Sequence, residues 1–177
     1  MNIAETYLKV IQERFHAVKD LGDKTIAQLE HEQLHWSYNE DSNSVAVIVK
    51  HVSGNMVSRW TDFLTTDGEK STRNRDDEFV DNLTTKEELI AVWEHGWQVL
   101  FEALKQLTEA DLVKFVTIRG EKHTVIEAIE RQVAHYASHV GQIVYVGKMI
   151  KGEQWKTLSI PKGQSQAFTE AKLKGQN

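Results

Sequence analysis

The sequence contains a single proline, Pro161, so its first 160 residues hold none of the ring-locked residues that break a helix by removing an N–H. A chain of 177 residues with that property can run in long helices, and its length suits one domain with its own core. The apolar spacing agrees. Leu8, Ile11, Phe15 and Val18 recur at three and four residues, the period of an amphipathic helix, and the phase continues through Gly22, Thr25 or Ile26, and Leu29. The spacing predicts a helix over 4–30 with a weak point at Gly22. Asp41, Ser42, Asn43 and Ser44 offer a choice of caps before Val45, Ile48, Val49, Val52, Met56, Trp60 and Phe63. These mark a second helix over 44–64, which Thr65-Thr66-Asp67-Gly68 ends. Thr85 with Glu88 and Thr124 with Glu127 have capping-box spacing and open helices predicted over 85–106 and 124–150.

A polar loop from Glu69 to Asp81 mixes three basic with five acidic residues, and Val113–Ile118 reads as extended, compatible with a short strand pair. From about residue 152 the chain is polar and irregular. The expectation is an all-α fold, a four-helix bundle forming a single domain over 1–177. Gly54, Gly141 and Gly147 fit such a bundle as points of close helix approach. Five tryptophans and the apolar helix faces exceed what one bundle core readily houses, which points to a homodimer.

Composition removes whole classes of function. No cysteine is present, which excludes disulfides, iron–sulfur clusters, thiolate zinc sites and a cysteine nucleophile. With 21 basic and 26 acidic residues the net charge is −5, so no nucleic-acid partner is expected. No apolar run approaches the ~20 residues that span a bilayer. The start, Met1-Asn2-Ile3-Ala4-Glu5, lacks the basic and apolar regions of a signal peptide. The chain therefore reads as cytoplasmic, without a membrane partner.

Chemistry must be sought among eight histidines, two pairs of which have the spacing of four that puts both rings on one helix face. His31-Glu32-Gln33-Leu34-His35 matches the H-E-x-x-H pattern of zinc proteases. It lies at the end of the first helix, just before a cap-rich turn, and Tyr38 stands where the extended protease motif needs glycine. It reads as a chance match. His135 and His139 lie inside the fourth helix among Val133, Ala134, Ala137 and Val140, and His51 lies mid-way along the second. Each alone reads more readily as a hydrogen-bonded core histidine than as a ligand. A bundle can, however, aim both helices at one point, and three neutral imidazoles with an open fourth position make a catalytic type of zinc site. Nitrogen ligands suit zinc, nickel, copper or iron. Asn55 and Arg59 follow His51 at successive turns, either snorkelling outward or lining a pocket.

Segments in order, Asn43-Ser44, Val49 to Met56, Ser58 to Lys70, Arg73-Asn74-Arg75-Asp76, Glu78-Phe79, His135-Tyr136, His139, Gly141-Gln142-Ile143 and Leu158 to Pro161 with Gly163 and Ser165, resemble the DinB/YfiT-like metalloenzyme superfamily. The match covers essentially the whole chain and is narrowest for a Bacillus-type subgroup of uncharacterised function. The resemblance implies up-down-down-up bundle topology, frequent dimers, and a divalent metal, zinc or nickel, held by His51, His135 and His139. Relatives include a bacillithiol S-transferase and a mycothiol-dependent maleylpyruvate isomerase, whose metal holds a low-molecular-weight thiol as thiolate. The sequence thus points first to a metal-dependent, thiol-dependent S-transferase acting on a small molecule. A metal-dependent hydrolase and a non-enzymatic metal- or ligand-binding bundle are the alternatives. Arg59, or Arg73 and Arg75 if their loop folds over the mouth, would pair with a cosubstrate carboxylate; the loop arginines read equally as solvated charges. No residue is singled out as catalytic.

Overall fold

The structure, a computed structural model, describes residues 2–175. Its helices are α1 (Ile3–Ile26), α2 (His31–Leu34), α3 (Val45–Trp60), α4 (Lys86–Gln106), α5 (Val125–Lys151) and α6 (Ser165–Leu173). Two short antiparallel strands, β1 (Phe115–Ile118) and β2 (Glu121–Thr124), pair Phe115 with Thr124 and Ile118 with Glu121. The four long helices surround one core, with α3 packed chiefly on α4 and α1 chiefly on α5.

The helix starts follow local chemistry. Of the four caps available before α3, Ser44 is the one used, its hydroxyl accepting from the Val47 N–H. At α5 the capping box closes fully: Thr124 Oγ1 accepts from the Glu127 N–H, and Glu127 accepts from the Thr124 N–H. At α4 the return arm shifts by one residue, because Glu88 accepts from Thr84 rather than Thr85.

Helix ends depart from the periodicity. The first helix stops at Ile26, short of residue 30, because His31–Leu34 forms a helical turn of its own that starts where Gln33 Oε1 accepts from the Glu30 N–H at 3.0 Å. Gly22 is not a weak point: a Cβ there would lie 2.5 Å from the Trp93 ring, so the glycine is what lets α4 approach α1. The helix α3 ends at Trp60 rather than 64, where Asp62 adopts a φ of 48° and its carbonyl collects the N–H groups of Thr65 and Thr66. The tail is not irregular throughout, since α6 forms there; none of its residues is buried, so it left no apolar stripe in the sequence. No helix among the described residues is long and apolar enough to cross a membrane.

Phe15, fully buried, sits 6.0 Å from the ring centres of Trp60 and Tyr136 and 6.4 Å from Trp97. Burial raises Tyr136 well above the ordinary tyrosine range and keeps its hydroxyl protonated. That hydroxyl accepts from Trp60 Nε1 at 3.1 Å and donates to Asn55 Oδ1 at 3.0 Å, so the aromatic core is wired to a polar residue of α3. Trp60, Trp93 and Trp97 all lie in this core, which houses three of the five tryptophans within one chain.

Glycines separate into two kinds. A Cβ at Gly96 would meet the Ser53 Cα at 2.8 Å, and one at Gly147 would meet Thr25 Cγ2 at 2.6 Å, so both mark close helix approach. Gly141 has nothing within 4 Å and needs no such explanation. Gly96→Ala is expected to lower stability by ~1–3 kcal/mol through overpacking. Gly141→Ala is expected to raise it by ~0.5–1 kcal/mol through helix propensity alone. Urea midpoints at unchanged slope check both.

Candidate metal centre

Helix α3 supplies His51, and α5 supplies His135 and His139 from consecutive turns. Their ring centres are 5.4 Å (His51–His135), 4.9 Å (His51–His139) and 4.7 Å (His135–His139) apart. One nitrogen of each lies within 4.8 Å of the other two, and Nε2 of His135 is 3.2 Å from Nε2 of His139. Zinc–nitrogen bonds of ~2.0–2.1 Å at tetrahedral angles would set such nitrogens ~3.3 Å apart. Among the described residues this is the group of histidine and carboxylate side chains that converges closely enough to hold a metal ion.

The outer nitrogens orient the rings. His51 Nδ1 donates to Glu78 Oε2 at 3.0 Å, since an ionised carboxylate only accepts, and this leaves the Nε2 lone pair for the cluster. His139 Nδ1 donates to Gln142 Oε1 at 3.1 Å, with the same consequence. His135 Nδ1 is buried without a partner. Such bonds fix the tautomer of a ligating histidine. Burial, reinforced by the neighbouring His139 and His51, pulls His135 down to about 4, and burial also lowers His139. Both rings are therefore neutral at ordinary pH, the state that coordinates a metal.

Glu78 is the residue that the sequence hid. It belongs to the polar 69–81 loop, read there among solvated charges, yet its side chain is only 8% exposed. Arg73 grips it with two N–H groups, Nε to Oε1 and Nη2 to Oε2, both at 2.7 Å. Burial alone would raise this carboxyl, but the bonds from His51 and Arg73 outweigh it and keep Glu78 ionised. Gly54 has its explanation here as well: a Cβ would collide with the Glu78 carboxylate. The loop is thus a strap laid along α3, pinned further by Lys50 Nζ, which donates to the carbonyls of Asp77 and Val80. Phe79 of the strap stacks on His51 with ring centres 4.9 Å apart.

Asn55, Arg59, Arg73 and Arg75 all line a cavity of about 170 Å³ together with His51 and His135. Two of the arginines are already committed inside the chain. Arg59 donates to the Gly68 carbonyl and to Glu69 at 3.0 Å, with its Nε buried and unpartnered, while Arg73 holds Glu78 and Glu69. Arg75 is exposed and lies over the Phe79 ring at 5.8 Å. Arg119, Arg131 and Gln132 complete the wall and were not singled out in the sequence. Arg131 and Gln132 were findable, lying four and three residues before His135 on the same helix face. Arg73 also lines a larger cavity of about 610 Å³ on the α4 side of the strap.

The rings of His31 and His35 are 4.7 Å apart, but their neighbourhood is structural. His35 Nδ1 donates to Asp81 Oδ1 at 2.8 Å, and Asp81 Oδ2 accepts from the Ser44 hydroxyl, tying α2 to the strap and to the cap of α3. Glu32 is exposed.

Removing the Glu78 carboxylate leaves Arg73 buried without its main partner, and Glu78→Ala is expected to cost ~3–5 kcal/mol in urea unfolding. A pH titration of metal-free stability tests the histidines. His135 is lowered from 6.5 to about 4, so the unfolded chain takes up a proton that the folded chain refuses. Stability is full above 6.5, declines as pH falls, and this contribution is gone below about 4. His135→Asn should flatten that part of the profile.

Comparison with curated proteins finds no match. The pattern of the family described as "Protein of unknown function (DUF1572)" matches residues 2–164. The chain belongs to this family, which lies within the DinB-like superfamily.

Proposed function

We propose that the protein is a metal-dependent enzyme that binds a divalent ion, zinc or nickel, through His51, His135 and His139, and that it uses a low-molecular-weight thiol as an S-transferase of the bacillithiol type. The observation that carries the metal assignment is the convergence of three imidazoles from two helices, two of them with the outer nitrogen already bonded. An ion held there supplies Lewis acidity, which lowers the pKa of a bound thiol or water. The chain's own part is to fix the rings. Glu78 holds His51 through Nδ1, Gln142 holds His139 through Nδ1, and Phe79 covers one face of His51. The thiol reading is preferred to hydrolysis because the residues lining the small cavity are basic or neutral. A carboxylate there would have been the natural general base for water. The absence of cysteine suits a sulfur that arrives with the cosubstrate.

We infer the up-down-down-up bundle connectivity and the homodimer from the same superfamily membership. Exposed Tyr38, Tyr145 and Met149 offer aromatic and apolar surface for pairing.

Elemental analysis after matched reconstitution with zinc or nickel is the test. His139→Ala should lose metal while keeping its helical circular dichroism, and His31→Ala and His35→Ala should keep metal. Loss in the latter pair with retention in His139→Ala overturns the site. Thiol consumption in the presence of an electrophile then separates the transferase from the hydrolase, and metal binding with neither activity favours a binding bundle.

A further inference from the structure

The cavity beside the three histidines carries more positive charge than the chain neutralises. Five arginines, Arg59, Arg73, Arg75, Arg119 and Arg131, line it in a protein whose net charge is −5. Glu69 and Glu78 account for Arg59 and Arg73, and Glu69 also takes one bond from Arg119 at 3.0 Å. Arg75 and Arg131 have no carboxylate partner among the described residues. Guanidinium groups gathered in a concave wall repel one another and concentrate anions.

These groups come from three elements, each fixed independently. Arg119 sits in the two-residue turn between β1 and β2, where it and Gly120 have φ values of 55° and 76°, as a type I′ turn requires. Asp67 clamps that turn by accepting the N–H groups of Arg119 and Gly120 at 2.9 and 2.8 Å. Arg75 is placed over Phe79, which itself stacks on His51. Arg131 lies one turn before His135 on α5.

A second observation is independent of charge. Gln132 lines the same cavity, is 4% exposed, and its Oε1 has no hydrogen-bond partner. A buried acceptor of this kind calls for a donor from water or ligand. The volume of about 170 Å³ suits one small oxyanion with its immediate neighbour rather than a large molecule.

We propose that Arg75, Arg119 and Arg131 form an anion subsite that holds a carboxylate or phosphate group of the ligand beside the histidine cluster, with Gln132 accepting from an O–H or N–H adjacent to that group. The proposal deepens the enzyme reading and rests on it only in calling the ligand a substrate; the anion site itself stands on the arginines. Two planar N–H donors per guanidinium match either oxyanion.

The test is calorimetric titration of the full-length, metal-free protein at physiological salt with lactate, propionate, inorganic phosphate and the neutral analogue lactamide. Lactate or phosphate should bind at one equivalent, and lactamide should not. Arg119→Gln and Arg131→Gln should each weaken binding ~10-fold, the loss of one charge-assisted contact. Lys9→Gln, on the exposed face of α1, should leave binding unchanged and so control for non-specific charge. Gln132→Leu should erase any preference for lactate over propionate. Tighter binding of phosphate than of lactate assigns the ligand group to the phosphate class, and the reverse assigns it to the carboxylates. Wild-type affinity in both arginine variants, or no binding to the wild type at ~10 mM, overturns the proposal. Zinc content measured on separate portions of the same proteins after reconstitution with zinc keeps the two readings apart. Zinc retained without anion binding sinks the subsite alone, whereas anion binding without zinc sinks the metal centre and leaves the subsite standing.

Discussion

The buried Glu78 carboxylate is the contact on which the site's shape depends. Burying a charge is costly unless it is paired and fully hydrogen-bonded. Glu78 meets that condition by receiving two N–H groups from Arg73 and one from His51, in space that only a glycine at position 54 leaves open. One side chain thereby sets the tautomer of His51, anchors the strap, and fixes where Phe79 and Arg75 stand. The polar loop is therefore part of the site and not a connector between helices.

Glu69 plays the complementary part. It accepts from Arg59, Arg73 and Arg119, so it couples α3, the strap and the β1–β2 turn through one carboxylate. Burial opposes its ionisation, but the three guanidinium groups outweigh this and hold it below the usual carboxylate range. Arginine is suited to such multi-point sharing because its donors form a rigid fork.

The sequence made the helices legible because caps and apolar periods are local. Ser44, Thr85 and Thr124 begin helices for reasons contained within four residues. Helix ends were less legible. Asp62 in a left-handed conformation ends α3 without a glycine or proline to announce it, and α6 buries nothing that would mark a face. The histidine cluster was half legible: the spacing of His135 and His139 gives their shared face, but their meeting with His51 depends on how α3 sits against α5. Glu78 was not legible, because an acid among acids and bases in a loop looks solvated until the backbone brings it over Gly54. The His31–His35 pair makes the opposite point. It has the tighter sequence motif, yet it stands outside the histidine cluster, and His35 Nδ1 is bonded to Asp81, an aspartate 46 residues beyond it.

The distribution of packing has a consequence for how the molecule comes apart. α1 lies chiefly on α5 and α3 chiefly on α4, so the chain is built as two helix pairs meeting along a seam. His51 is on one side of that seam and His135 and His139 are on the other, as are the two ends of the Asn55–Tyr136 hydrogen bond. Segments of this kind open as cooperative units, and a bond that spans the boundary slows their separation. Whatever occupies the histidine cluster would act as a rivet between the halves. Amide exchange along the inner faces of α3 and α5 would then report on that occupancy even in the absence of turnover, making the breathing of the seam a gauge of the site.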